Sequence, residues 1–473
     1  MSTQERHGLR ERGMGASILV SAISTAFGVV LISATGYIGA MLRADPYVGG
    51  SGTLAFVLSF ITFVLVGLAV YVAAIVTANT FSTVVAGRTR QIALLRLIGA
   101  SARSQRAEVA RQGLVVGAIG AAIGLVVGTA GSFTGIAVLS RQLGIQGVSY
   151  DVLRPVLLVP AIIVALTTWA AAWAGSRRVL TVTPLQALGS SNEASRDEVV
   201  RRTGRNATAI ALVTVGALLL AGGIVLGLLS PLGVVVAFFG GVLSFTGIAL
   251  GAALFMPPLL RASGRLFGRS AVARLASENA LRYPERSSRM AIGVVIGVTL
   301  VTMFAVAMES AKRVMTAAAG GTLPPDLAAV LDGFAGIMMG LVGVSAIIAA
   351  VGLVNLLTLG VVQRRRELGL LRALGLSTGQ VRRVVLLEAA HITITAVVTG
   401  VVLGIGYGWA GAQSLLGAVA ANPNHEKAGM VWPAIPVAVV VVIVAATAVL
   451  TLVAAVVPTR LATRVSPVEA LAA

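Results

Sequence analysis

RTRQIALLRLIGAS (88–101) and RRRELGLLRALGLS (364–377) are two copies of one segment, with seven of fourteen positions identical at a constant offset of 276. Each copy lies in a basic stretch between two long apolar runs, so a partner that engages one copy has a related second place to engage. Ile92, Leu95, Leu97 and Ile98 in the first copy, and Leu368, Leu371, Ala373 and Leu374 in the second, sit among arginines. These arginines are Arg88, Arg90 and Arg96, and Arg364, Arg366 and Arg372. Gly99 and Gly375 then interrupt, and Ser101 and Ser377 follow. Glycine after a helical run stops it, and serine caps a new helix. The spacing predicts a helix leaving the membrane, a sharp break, and a short exposed helix returning over SARSQRAEVA and STGQVRRVVL. A short helix with apolar and basic faces suits a partner's groove. A loop that served only to place positive charge would need arginines, but not this repeated Leu-Leu-Arg, Gly and Ser order.

Composition says where these segments sit. The chain has 473 residues, 57% hydrophobic and 11% charged, with a mean hydropathy of +0.95. Soluble domains carry about 25% charged residues. A helical span needs about 20 apolar residues. Ten such runs are present, near 16–41, 54–80, 112–138, 153–175, 207–229, 232–258, 288–309, 329–361, 388–416 and 433–458. They are too long and too uniformly apolar for barrel strands, which alternate over about ten residues. The fold class is therefore all-α integral membrane, with ten transmembrane helices.

The net charge of +19 follows from topology. With the N-terminus inside, 30 basic and 11 acidic residues face the cytoplasm, and 6 of each lie outside. That bias places both termini in the cytoplasm, and the expected location is the plasma (inner) membrane. It explains the charge without nucleic acid. There is no cysteine, hence no disulfide framework or thiolate metal site. The first apolar run is too long for an ordinary signal-peptide core and reads as a retained span.

The repeat reaches beyond its loops. Asn79 matches Asn355, Gln112 matches Glu388, and Gly124 and Gly128 match Gly400 and Gly404 at the same offset. TVTPLQAL (181–188) aligns with TRVSPVEAL (463–471), Pro184 on Pro467, at an offset of 283. The chain thus divides into a four-span module at 1–188 with the segment 88–106, and a second at 290–473 with the segment 364–383. Between them lie a cytoplasmic linker (189–206), a two-span hairpin (207–258) turning at Ser230-Pro231, and a basic amphipathic stretch at 259–289. In that stretch Leu266, Phe267, Val272, Leu275 and Leu281 alternate with arginines, which predicts a helix lying in the membrane interface. An even number of spans separates the two modules, so they are parallel four-helix repeats. External loops (42–53, 139–152, 310–328, 417–432) are too short to fold as domains.

Chemistry-bearing groups are sparse. A phosphate-cradling loop needs a lysine followed by Ser or Thr, and neither lysine of this chain, Lys312 or Lys427, has that setting. Any ATP must be bound by another polypeptide, and the chain is not expected to be an enzyme. Asn79 and Asn355 are either bundle glue or part of a central interface. Gln112 and Glu388 read as snorkelling or capping groups, and His391 as a packing residue. A secondary transporter would need ionisable residues at mid-membrane, and none is found.

The pattern Asn, then R-x-R-[EQ]-[IL]-x-L-L-R-x-[IL]-G-x-S, then a four-span unit closing with [ST]-P-x-[EQ]-A-L, resembles the FtsX/MacB-like permeases of ABC transporters. The ten-span layout around a central hairpin is similar to the fused permeases of antimicrobial-peptide resistance transporters. The resemblance implies a permease that couples ATP hydrolysis in partner subunits, two per chain, to extraction or export of an amphiphile such as a lipid, peptide or antibiotic. ATP and Mg would be held by those partners, and membrane lipids surround the chain. It places Arg88, Arg90, Gln91, Arg96, Gly99 and Ser101, with Arg364, Arg366, Glu367, Arg372, Gly375 and Ser377, in the ATPase-coupling segments. Gln91 stands where the family usually has Glu, which implies weaker coupling in the first half. The alternative the family offers is a non-transporting signalling subunit that controls an outer-face partner. The short outer loops leave little surface for one.

Overall fold

The computed structural model describes residues 14–44, 63, 67, 71, 101–142, 151–176, 203–265, 270–282, 284–322, 336, 370, 372–419 and 426–463. Among these residues there is no strand, and seven helices are long and apolar enough to cross a membrane. The runs expected at 54–80 and 329–361 fall outside the described residues except at positions 63, 67, 71 and 336. The chain divides into two compact units, Met1–Asn192 and Glu193–Ala473.

The first unit contains α1 (Met14–Ala44), α2 (Ala102–Gln142) and α3 (Leu158–Gly175), the last entered through a 3-10 turn, Pro155–Leu157. α1 and α2 run in the same direction and close together. Successive glycines of α2 meet successive positions of α1: Gly120 faces Ile18 and Ser21, Gly124 faces Ala22 and Thr25, and Gly128 faces Ala26 and Val29. α3 returns along α2. Thr168 lies against Gly117 at one level, and Ala171 and Ala172 pack with Val109 and Val116.

The second unit begins with the hairpin α4 (Thr203–Gly227) and α5 (Gly233–Leu250), followed by α6 (Ala252–Gly264) and α7 (Ala271–Arg282). It continues with α8 (Pro284–Ala318), α9 (Thr378–Leu416) and α10 (Val437–Thr463). The hairpin is closed by glycines, which bring backbone against backbone: Gly223 against Ala237, and Gly247 against Ala209 and Val213. Its inner side rests on α9, where Ser244 Oγ lies 2.8 Å from Tyr407 Oη and Phe245 meets the Tyr407 ring edge-on at 5.9 Å. α8 and α9 also run in the same direction. Gly400 faces Val295 and Val298, Gly404 faces Thr299 and Thr302, and Gly408 faces Met303 and Val306.

Three expectations need correction. The sixth apolar run (232–258) is not one helix. It breaks at Gly251, and Pro257 and Pro258 sit inside the next helix, α6. Proline has no N–H to donate to the preceding turn, so an apolar run with this pair cannot stay straight. The amphipathic stretch at 259–289 is likewise not one interfacial helix. It spans the end of α6, the separate α7 and the start of α8. The buried face of α7 is Ala273, Ala276 and Ala280, not the larger Val272, Leu275 and Leu281, because α7 packs closely on α9. Ser287 Oγ donates to the Ala280 carbonyl at 2.6 Å, fixing the joint between α7 and α8.

The third correction concerns the returning helices. They are not short: α2 has 41 residues and α9 has 39. At 1.5 Å per residue each is about 60 Å long, twice the hydrocarbon thickness. The polar turns at 102–111 and 378–387 contain no Pro, and Gly379 sits only in the first turn, so the backbone ladder carries straight into the apolar run. It follows that Gln112 and Glu388 do not cap the starts of their own helices, which lie ten residues earlier.

Candidate functional site

The repeated segment is best defined in its second copy. Arg372 lies in a last helical turn in which Leu374 N–H donates to the Leu370 carbonyl at 2.9 Å and Gly375 N–H to the Arg372 carbonyl at 3.1 Å. Gly375 then takes φ +100°, a conformation that a Cβ resists. Two residues on, Ser377 has an extended backbone and caps α9. Its Oγ accepts from Gln380 N–H at 3.2 Å, and the Gln380 side chain accepts from Ser377 N–H at 2.9 Å. Both orphan donors of the helix start are thereby satisfied, which is the reciprocal capping box. Leu370 and Leu374, one turn apart, are exposed on the segment before the break.

In the first copy, Ser101 occupies the equivalent place. Its Oγ accepts from Ser104 N–H at 3.1 Å, and its carbonyl accepts from Gln105 N–H at 3.1 Å. Serine at position 104 replaces the glutamine of the second copy, and no reciprocal bond from its side chain to Ser101 is seen. We therefore expect Ser377→Ala to cost about 1 kcal/mol, and Ser101→Ala less. Hydrogen exchange of the amides in the first turns of α9 and α2 measures the difference directly. Equal loss of protection at both starts would show that the reciprocal bond adds nothing.

Of the other residues expected here, Arg88, Arg90, Gln91, Arg96, Gly99, Arg364, Arg366 and Glu367 lie outside the described residues, as do Asn79 and Asn355.

α2 and α9 are each tied to their unit by contacts that the sequence did not announce. In the first unit the Arg106 guanidinium lies 4.0 Å over the Trp173 ring, and its Nε and Nη2 are each 3.4 Å from the Trp173 carbonyl oxygen. This joins the start of α2 to the end of α3. One turn further, Arg111 donates twice to Glu108 at 3.1 Å, and Gln112 Nε2 donates to Glu108 Oε1 at 3.1 Å. In the second unit the tie is His391, fully buried, whose Nε2 lies 2.9 Å from the Leu260 carbonyl oxygen and 3.0 Å from Ser263 Oγ. Ser263 Oγ is also 2.7 Å from Thr395 Oγ1. A side chain on Gly264 would reach the His391 ring at 3.3 Å, so the glycine admits it. His391 is thus a clasp between α6 and α9. The only sequence signal for it was a lone histidine in an apolar run.

A push at the Ser377 end therefore meets one continuous helix, gapped by glycines against α8 and clasped to α6.

The family model described as "FtsX-like permease C-terminal" matches residues 63–184 and 339–467. The chain is also similar to the ABC transporter permease YtrF of Bacillus subtilis (strain 168), 36% identical over 63 residues, 13% of this chain and 14% of that protein. A second similarity is to YknZ of the same organism, named as an uncharacterized ABC transporter permease: 33% identity over 82 residues, 17% and 19% of the two chains. The alignments thus span less than a fifth of the length of either relative.

Proposed function

The chain belongs to the FtsX-like permease family of ABC transporters, and we propose on that premise that it couples ATP hydrolysis in separate ATPase subunits to movement of an amphiphile out of the membrane. The observation that carries this reading is that the family match falls twice, on 63–184 and 339–467, and each matched stretch holds one copy of the repeated basic segment. Family membership implies an ATPase partner. Two segments per chain support two ATPase subunits, bound at 88–106 and 364–383. ATP and its Mg2+ belong to those subunits, since neither lysine here lies in a phosphate-cradling sequence.

The helix directions support the ten-span layout of two four-helix repeats, and the charge bias supports cytoplasmic termini. α1 and α2 run the same way, as do α8 and α9. A chain that crosses twice in one direction needs one return crossing between, which matches the apolar runs at 54–80 and 329–361. The glycine pairs Gly124/Gly128 and Gly400/Gly404 make equivalent contacts in the two units. In this mechanism, closure of the ATPase pair presses on the two breaks. α2 and α9 carry the displacement through the membrane, and the modules squeeze or splay laterally. The continuous length of α9 from Ser377 to Leu416 supports that lever.

Co-expression of the tagged chain with the ABC ATPases of its own genome tests the reading. Two copies of one ATPase per chain should co-purify, and nucleotide hydrolysis should rise when the complex is placed in lipid. Cargo movement by the chain alone, with no ATPase retained, overturns it.

A further inference from the structure

At the end of α9 opposite Ser377, residues 426–436 form a strap folded back onto the helix bundle and locked by side chains from within it. Gln413, wholly buried, uses both ends of its amide: Nε2 donates to the Gly429 carbonyl at 2.7 Å, and Oε1 accepts from Val431 N–H at 2.6 Å. Trp409 Nε1 donates to the Val431 carbonyl at 2.8 Å, and Ala434 N–H donates to Ser310 Oγ at 3.1 Å. Ala428 N–H and Gly429 N–H donate to the Val419 and Gly417 carbonyls at 2.8 and 3.0 Å. Gly429 takes φ +61°, which lets the chain turn onto this template.

Exposure alternates at the centre of the strap, over residues 430–432. Val431 points inward, 5% exposed, into a cluster with Val314, Ala412 and Leu416. Its neighbours point outward: Met430 is 61% exposed and Trp432 78%. Six hydrogen bonds and a buried valine therefore hold two large apolar side chains outward on a rigid support. Left in water, that arrangement costs free energy and gains nothing.

We infer that the strap is a membrane wedge, seating Met430 and Trp432 in the boundary between headgroups and acyl chains of the outer leaflet. Two observations favour lipid over a protein partner. The exposed apolar surface does not stop at Trp432 but continues through Ile435 and Val437 onto the exposed Val441 and Val442 of α10, an apolar helix. On the other side it ends at the exposed Glu426 and Lys427. The strap thus passes from ionic to apolar side chains within about six residues, as a segment crossing the headgroup layer does. Tryptophan is enriched at that depth because its ring is apolar and its N–H polar. The inference rests on the permease reading only for which face is outside. For a protein that draws an amphiphile from this leaflet, a fixed wedge beside the helices loosens lipid where the cargo leaves.

The test compares wild type with Trp432→Phe in nanodiscs, with lipids brominated near the headgroup end of the acyl chain or near its terminal methyl. The difference in emission isolates Trp432 from Trp169, Trp173 and Trp409. We expect that difference signal to fall by about half or more with shallow bromine, less with deep bromine, and to resist acrylamide in the aqueous phase. A signal quenched by acrylamide and blind to bromine puts the strap in water and overturns the inference. A signal blind to both, with a change of oligomeric state in Trp432→Phe, makes the surface an interface between copies and overturns it equally. Retention of the ATPase is read on the same samples, so failure of the wedge is distinguishable from failure of the permease assignment.

Discussion

Gly375→Pro combined with Arg372→Glu is expected to release the ATPase subunit docked at the second copy, leaving one per chain, and to cut the stimulated turnover sharply. Gly375 holds φ at +100°, whereas proline fixes φ near about −65°. Proline also deletes the N–H that bonds to the Arg372 carbonyl at 3.1 Å. The break must then adopt another path, and the exposed Leu370 and Leu374 turn away from the start of α9. Arg372→Glu reverses a charge on the same short segment, so shape and sign fail together. The fold should survive. α9 has its own cap two residues later, and Val381 N–H bonds to the Ser377 carbonyl at 3.0 Å. The thermal midpoint should therefore move by only a few degrees while ATPase binding at this copy is lost. Gly375→Ala is the graded companion. It keeps the N–H, and at about 1–2 kcal/mol of backbone strain it should weaken retention without eliminating it. Undiminished stimulated turnover in the double variant would remove the docking assignment altogether.

The same comparison separates the two halves. Arg96→Glu with Gly99→Pro makes the matching change in the first copy. Either pair alone should leave one ATPase per chain, detectable by native mass measurement. If the glutamine at position 91 weakens its half, the second-copy variant loses more turnover than the first.

What could be read in advance depended on range. The break at Gly375 and the cap at Ser377 are local: a glycine free to take positive φ and a serine oxygen within reach of the next turn. Both were legible from a few residues. The length of α9 was not, because a hydropathy reading ends where apolar residues end. A backbone ladder ends only where a residue breaks it, and RRVVLLEAA has no breaker. The partners of Arg106 and His391 were invisible for a different reason. Trp173 is 67 positions from Arg106, and Leu260 is 131 from His391, so only the packed fold brings them together. The alanine face of α7 carried no hydropathy signal, because alanine stands out less than the leucines and arginines beside it. Where α7 approaches α9 closely, alanine is what fits. The lock on the strap had one sequence trace, a single glutamine in an apolar run.

The glycines of α9 allow a test in which the same substitution should change sign within one turn. Gly404→Ala is expected to destabilise the protein by about 1–3 kcal/mol through overpacking, and Gly406→Ala to be neutral or stabilising. A Cβ at Gly404 would lie 2.5 Å from Thr302 Cβ and 2.8 Å from the Thr299 carbonyl oxygen. The second of these is backbone, which cannot rotate away, so α8 and α9 must separate. At Gly406 nothing lies within 4 Å, and alanine in a helix is better than glycine by about 0.5–1 kcal/mol. Gly124→Ala should repeat the loss in the first unit, since its Cβ would sit 2.7 Å from Thr25 Cβ and against the Ala22 carbonyl oxygen. Thermal melting of the purified chain in detergent reads all three. If Gly404→Ala and Gly406→Ala behave alike, close helix approach is not what these glycines provide. The contrast bears on mechanism as well. A lever must stay in register with its neighbour to move it, so a variant that loosens α8 from α9 should still bind the ATPase but transmit less of its stroke. Retained ATPase with diminished cargo movement in Gly404→Ala would place the transmission at this helix pair, as distinct from the docking that Gly375 and Arg372 serve.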